Sequence, residues 1–95
     1  MIKITDITPF MKDGWVAMNG DKRWCWHKEK PVAYKKHDMN FWYDKGYIVH
    51  LDCFNIAPAA DDWTHSLIKI DNRTREKFEK EYQNNIQRTI QELNK

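Results

Sequence analysis

Alternating apolar and polar positions predict a β-hairpin near the start of the chain. Residues 14–18 and 23–27 are short apolar-rich runs, and the residues between them include Asn19-Gly20, a strong turn signal. A turn centred on residues 19–20 and one centred on residues 20–21 shift the pairing of the two strands by two residues. Because side chains alternate between faces, both turns place the same residues on the same face. The shared face holds Trp15, Ala17, Trp24 and Trp26. We therefore expect a three-tryptophan face in the core, covered by a helix or by a second hairpin.

A second hairpin is predicted from residues 41–43 and 47–51. The loop between them, residues 44–46, ends in Gly46, which suits the left-handed position of a three-residue hairpin loop. One face of this hairpin is continuously apolar and suits the core: Phe41, Tyr43, Tyr47, Val49 and Leu51. The opposite face carries Trp42, Ile48 and His50, so Trp42 is expected on the surface. The alternative is that a second layer, such as the helix, covers it. Residues 32–34 could form a short edge strand.

From Asp71 onward the pattern is helical. Apolar residues recur at spacings of four and three at Phe78, Tyr82, Ile86, Ile90 and Leu93. The stripe is narrow, so the helix should lie on a surface, docked through Phe78, Tyr82, Ile86 and Ile90. The expected fold is α+β: an antiparallel sheet of three to five strands with a C-terminal amphipathic helix. Residues 1–95 form a single domain, with a mainly β body over residues 1–71 and the helix over residues 72–95.

Composition narrows the function classes. The net charge of +2 is too small to mark a dedicated nucleic-acid binder. The chain lacks the apolar run of about 20 residues that spans a bilayer and the apolar start of a signal peptide. Two cysteines are few for a secreted domain of this size. These features predict a cytoplasmic protein that does not bind membranes.

Candidate chemistry is sparse. Cys25, His27, His50 and Cys53 offer two thiols and two imidazoles, a set that zinc favours. However, a regular strand would point His50 and Cys53 to opposite faces, so no metal or cofactor is predicted. Cys25 with His27 or His50 is formally a nucleophile pair, but nothing local supplies the open, electropositive setting that activates a thiol. The sequence therefore predicts no catalytic residues and a protein that is not an enzyme.

Spaced tryptophans carry a family resemblance. Five tryptophans, Lys30-Pro31 and the Asp62-Trp63 pair followed by Ser66-Leu67 form the pattern over residues 14–68. It resembles small tryptophan-rich proteins of unassigned function that bacteriophages and prophages encode. The resemblance implies a mobile-element origin and an accessory role, such as host takeover, anti-defence or regulation of phage processes. This chain adds about 25 helical residues to that pattern.

These observations predict a non-enzymatic accessory protein that binds and inhibits or modulates a host protein, as an anti-CRISPR-type inhibitor does. Its partner would be a host protein, such as a nucleic-acid-processing defence complex. The alternative is a small nucleic-acid-binding regulator, whose rings stack on bases while cations follow phosphates. The C-terminal helix could pack on the sheet, form a homodimer or bind the partner. The predicted partner-binding residues are Trp42, Ile48 and His50, bordered by Tyr34, Lys35 and Lys36.

Overall fold

Two antiparallel sheets and a long C-terminal helix make up the computed structural model, which describes residues 1–94. This architecture confirms the predicted α+β class. A short helix, α1, and a 3-10 turn precede the first strand, and a second 3-10 turn precedes the last. The elements in chain order are α1 (Ile4–Ile7), a 3-10 turn (Thr8–Phe10), β1 (Gly14–Met18), β2 (Trp24–His27), β3 (Val32–Lys36), β4 (Met39–Tyr43), β5 (Ile48–His50), a 3-10 turn (Trp63–His65), β6 (Ile68–Ile70) and α2 (Asn72–Leu93).

The pairing of the strands differs from the predicted second hairpin. β4 pairs with β3, while β5 joins β2 in a four-stranded sheet of order β5-β2-β1-β6. The β3–β4 turn is only two residues long, and its first residue, His37, takes the left-handed conformation with φ 54°. Such a tight loop closes at little cost in chain entropy. No glycine in residues 1–94 has a positive φ, so the left-handed Gly46 was a wrong prediction.

The register of the first hairpin overturns the three-tryptophan face. Met18 lies opposite Trp24, and Trp15 lies opposite His27. The loop spans three residues, 20–22, and is closed by a bond from Asn19 N to Arg23 O of 2.9 Å, with Lys22 in the left-handed position at φ 69°. Relative to the two predicted turns this pairing is shifted by one and by three residues, and an odd shift exchanges the faces. Trp15 therefore lies on the face opposite to Trp24 and Trp26.

Gly20 in this loop is needed for a close approach between chain segments. Its N–H donates to Asn40 O at 2.8 Å, and a Cβ at position 20 would lie 2.6 Å from Asn40 Cβ. The backbone of the first hairpin loop is thus hydrogen-bonded to the backbone of β4, and this contact orients the β3–β4 hairpin on the body.

The core lies on the sheet face that carries Val16, Met18 and Trp24. Trp24 is 4% exposed, which confirms its predicted burial, and its Nε1–H donates to Ala57 O at 3.2 Å. The N-terminal segment crosses this side of the sheet, where Ile2 forms a bridge with Ile56. The buried core cluster consists of Ile4, Val16, Met18, Trp24, Leu51 and Ile70.

Only the first turns of α2 dock on the body. Asp71 caps the helix by accepting from Thr74 N at 2.9 Å, and Arg75 reaches Asp13 Oδ1 at 2.7 Å and Met11 O at 3.1 Å. Phe78 is half-buried. With 22 residues, α2 is about 33 Å long in a molecule that extends 53 Å.

Docking beyond Phe78 was a wrong prediction. The side chains of Tyr82, Ile86 and Ile90 are 41–50% exposed and Leu93 is 79% exposed, because the helix extends beyond the small body.

Within residues 1–94, none of the helices has the length and apolar character that crossing a membrane requires.

Candidate partner-binding surface

The β3–β4 hairpin has one face toward the body and one toward solvent. Side chains alternate along each strand, and directly paired residues share a face. Ala33 pairs with Trp42 and Lys35 with Asn40 on the inner face. The other three pairs form what we call the hairpin outer face: Val32 with Tyr43, Tyr34 with Phe41, and Lys36 with Met39.

Trp42 packs the inner face of the β3–β4 hairpin against the body. The residue is 7% exposed, and its Nε1–H points at Met18 O, 3.1 Å away, and at Trp63 O, 3.3 Å away. Its ring meets the Trp63 ring edge-on at 6.0 Å, and its backbone N–H donates to Asn19 Oδ1 at 2.9 Å. The expectation of an exposed Trp42 is therefore wrong, because the contacts with Asn19 and Gly20 set which face of β4 meets the body.

The hairpin outer face is apolar and open to solvent. Val32, Tyr34, Met39 and Tyr43 are 39–66% exposed. Phe41 is half-buried against Tyr34, with the ring centroids 5.0 Å apart. A contiguous exposed apolar patch of this kind marks interaction surfaces in proteins.

The structure separates the residues that were predicted to form one site. Tyr34 and Lys36 lie on the hairpin outer face, whereas Lys35 is on the inner face with its Nζ 6.0 Å from the Trp63 ring centroid, a cation–π distance. Ile48 and His50 lie on β5, an edge strand of the other sheet, and their binding role stays a prediction.

Sequence reasoning missed four residues of the hairpin outer face: Val32, Met39, Phe41 and Tyr43. It assigned Phe41 and Tyr43 to the core, because it paired β4 with the wrong strand. The available signal was the set of apolar residues at positions 32 and 34 and at positions 39, 41 and 43. These residues share one face only when residues 32–36 are treated as the partner of β4.

The sulfur and imidazole groups do not form a reactive centre. Cys25 Sγ lies 3.3 Å from His50 Nδ1, but burial, reinforced by the charges of Asp52 and Asp21, raises the pKa of Cys25 to about 11. The Cys25 thiol therefore stays protonated at neutral pH and is a poor nucleophile. Cys53 is exposed. Within residues 1–94, no three His, Cys, Asp or Glu side chains are grouped closely enough to hold a metal ion.

A buried histidine–aspartate pair connects the loop after β4 to the main sheet. His27 Nδ1 lies 3.5 Å from Asp44 Oδ2, and both side chains are almost fully buried. Among residues 1–94, neither ring nitrogen of His27 has a hydrogen-bond partner. Burial lowers the pKa of His27 below 6.5, and the nearby Asp44 carboxylate opposes that shift only in part.

This pair predicts a loss of stability in mild acid. The folded protein binds fewer protons at His27 than the unfolded chain, because the folded pKa is the lower of the two. The contribution of His27 to stability is therefore constant above about pH 6.5 and falls as the pH drops from there toward the folded pKa. Urea denaturation at a series of pH values from neutral to mildly acidic measures this effect.

His27→Gln is the matched control, since it keeps a polar side chain but removes the titration. The variant should lose less stability than the wild type over the same pH window, while the remaining histidines contribute equally to both. A wild type that becomes more stable as the pH falls would show instead that the Asp44 charge outweighs burial.

Comparison of the chain with protein-family models, curated proteins and solved structures found no match. The fold and the hairpin outer face define the class of protein: a small α+β protein that presents an apolar surface on a two-stranded hairpin.

Proposed function

We propose that this chain is a non-enzymatic binding protein that holds a partner protein against the hairpin outer face. One observation carries the proposal: five of the six side chains on this exposed face are aliphatic, aromatic or thioether groups, and the sixth is Lys36. Interface cores are depleted of charge and enriched in aromatic residues and methionine. Tyrosine is among the residues that most often dominate binding energy.

The hairpin outer face is supported from behind. Trp42 anchors the middle of β4 through its ring and its backbone N–H, and Asp44, which follows the strand, has its side chain buried beside His27. A surface held in this way loses little conformational entropy when a partner binds. The support therefore favours binding without rearrangement of the hairpin.

The resemblance to tryptophan-rich phage proteins extends the proposal to the kind of partner. An accessory protein of a phage or mobile element acts in the cytoplasm of its bacterial host. We propose that the partner is a host protein, of the nucleic-acid-processing defence class, which this chain inhibits or modulates in an anti-CRISPR-type role. This part of the proposal rests on the spaced tryptophans and the Asp62-Trp63 segment.

The test is affinity capture from a bacterial lysate, followed by binding measurements with the captured protein. Tyr43→Ser removes an exposed aromatic ring from the hairpin outer face without touching the core. We expect the affinity to fall at least about tenfold, the effect of a moderate hot spot. Titration calorimetry with the purified partner measures the change.

Phe10→Ser is the control for this experiment. Phe10 is 87% exposed against 47% for Tyr43 and lies outside the hairpin, so its replacement removes a more accessible ring from another surface. The control should bind like the wild type, and thermal melting should show both variants folded. Equal affinities for Tyr43→Ser and the wild type would refute the hairpin outer face as the binding surface.

A nucleic-acid-binding regulator is the second candidate. The neighbouring rings of Tyr34 and Phe41 beside Lys36 favour it, because bases stack on rings while cations follow the phosphates. Affinity for nucleic acid should fall steeply between about 50 and 200 mM salt, in proportion to the phosphates contacted. Binding that is nearly independent of salt would exclude this candidate and favour a protein partner.

A further inference from the structure

A pocket opens on the core side of the main sheet, beside the edge strand β5. Trp26 lies opposite Val16 on one side and Val49 on the other, so all three side chains share the core face. We call the cavity next to them the Trp26 pocket; it has a volume of about 520 Å³, within the roughly 300–1,000 Å³ of small-molecule sites. Val49 and Leu51 line it, and Leu51 belongs to the core cluster. The pocket therefore leaves one end of the apolar core open to solvent.

Two aromatic rings form walls of the Trp26 pocket. The rings of Trp26 and Tyr47 have centroids 6.5 Å apart and planes 70° from each other. The Trp26 Nε1–H donates to Lys12 O at 3.1 Å, so the polar group of the indole is satisfied and its ring offers carbon surface. A flat ring can stack on one of these walls and meet the other edge-on, and both arrangements are favourable between aromatic groups.

The N-terminal wall of the pocket is held in place by α2. Arg75 Nη1 donates to Met11 O at 3.1 Å and lies 2.7 Å from Asp13 Oδ1. Gly14, the next residue, lets the indole lie against the backbone of β1, since a Cβ there would be 2.8 Å from Trp26 Cζ2. A pocket whose walls are fixed before binding loses little conformational entropy when a ligand enters.

The charges at the pocket are positive in balance. Lys12 and Lys28 border it, both residues are exposed, and within residues 1–94 neither ammonium group has an ion-pair partner. Of the lining residues in the described part of the chain, Asp13 is the one acid, and Arg75 balances its charge. Glu29 does not line the pocket. Two cations therefore remain to attract an anion at the mouth.

We propose that the Trp26 pocket binds a small aromatic carboxylate. The ring of the ligand lies between the Trp26 and Tyr47 walls, against Val49. Its carboxylate stays at the mouth, where the long stems of Lys12 and Lys28 let their ammonium groups reach it. None of the lining residues belongs to the β3–β4 hairpin, so this site does not depend on the proposed function.

An NMR titration of the full chain with 2-naphthoate at low ionic strength is the first test. The indole N–H signal of Trp26, assigned with Trp26→Phe, should shift with saturation, whereas that of Trp42 should not move. We expect a dissociation constant of about 1 mM or tighter, which corresponds to a modest ligand efficiency for a molecule of this size.

Two further ligands separate charge from ring shape. The neutral 2-naphthamide should bind about three- to tenfold more weakly than 2-naphthoate, the combined effect of two exposed ion pairs. Octanoate has the same charge on a flexible chain, which loses more conformational freedom on binding, so it should also bind more weakly than 2-naphthoate.

Variants locate the ligand. Lys12→Gln combined with Lys28→Gln should weaken 2-naphthoate about three- to tenfold and leave 2-naphthamide unchanged. Lys69→Gln combined with Lys80→Gln is the matched control, because these exposed lysines do not line the pocket, and it should bind like the wild type. Tyr47→Ser removes a ring that is 65% exposed and should weaken both ligands at least about threefold, with the fold retained in the NMR spectrum.

Four results overturn the proposal. The Trp26 signal does not saturate with millimolar 2-naphthoate, or 2-naphthamide binds as tightly as 2-naphthoate. Octanoate binds more tightly than 2-naphthoate, which would assign the pocket to aliphatic acids. The lysine pair or Tyr47→Ser leaves the affinity for 2-naphthoate unchanged, which would place the ligand elsewhere on the protein.

Discussion

Replacing Trp42 by alanine should lower the free energy of unfolding by about 3–5 kcal/mol, the range for removing a buried aromatic side chain. The indole is 7% exposed, lies edge-on against Trp63 and donates its N–H toward Met18 O and Trp63 O. Its loss leaves a cavity between the hairpin and the main sheet. Urea denaturation, followed by circular dichroism, measures the change in midpoint.

Trp42→Phe separates the ring from its N–H. Phenylalanine keeps part of the packing against Trp63 but cannot donate to the two carbonyls. The single Ser66 hydroxyl hydrogen still serves one of these carbonyls, Trp63 O at 2.6 Å or Met18 O at 3.1 Å, so the cost should be smaller than for alanine. If Trp42→Ala melts like the wild type, the indole does not fasten the hairpin, and the support for the hairpin outer face disappears with it.

Trp24→Ala is the second change with a large expected effect. Trp24 packs in the core cluster with Val16, Met18 and Leu51, and it holds the segment after β5 through Ala57 O. A loss of about 3–5 kcal/mol is a large part of the 5–15 kcal/mol that stabilises a typical domain. The melting temperature should fall by at least about 12 °C.

Trp15→Ala is its matched control, because it removes the same side chain from the adjacent strand. Trp15 lies on the opposite face of the sheet and is only half-buried, so its loss should cost clearly less. Equal losses for the two variants would contradict the observed register and restore the single three-tryptophan face.

Local sequence signals were sufficient to predict several elements of the protein, although not α1 or β6. Strands at residues 14–18 and 24–27, a turn between them and a helix from residue 72 all appear in the structure. They were predictable because alternation, turn residues and a period of 3.6 depend only on neighbours in the chain. The burial of Trp24 was predictable because the chain has few aliphatic residues, so aromatic side chains must fill the core.

The sequence did not predict the candidate site, because the site depends on which strands pair. Tyr34 and Lys36 were recognised as surface residues, but Phe41 and Tyr43 were assigned to the core and Trp42 to the surface. The loop at residues 20–22 is one residue longer than either predicted turn, and that single residue exchanged the faces of the first hairpin. For the second hairpin, the prediction paired β4 with β5, whereas in the structure β4 pairs with β3.

The sequence by itself thus determined the α+β class, the positions of most elements and the apolar stripe of α2. Only the tertiary structure decided that Trp42 is buried, that the hairpin outer face is exposed and that the stripe of α2 beyond Phe78 is uncovered. The physical reason is the same in each case. Periodicity shows which residues share a face, but whether that face meets protein or water depends on contacts between distant segments, such as Gly20 with Asn40.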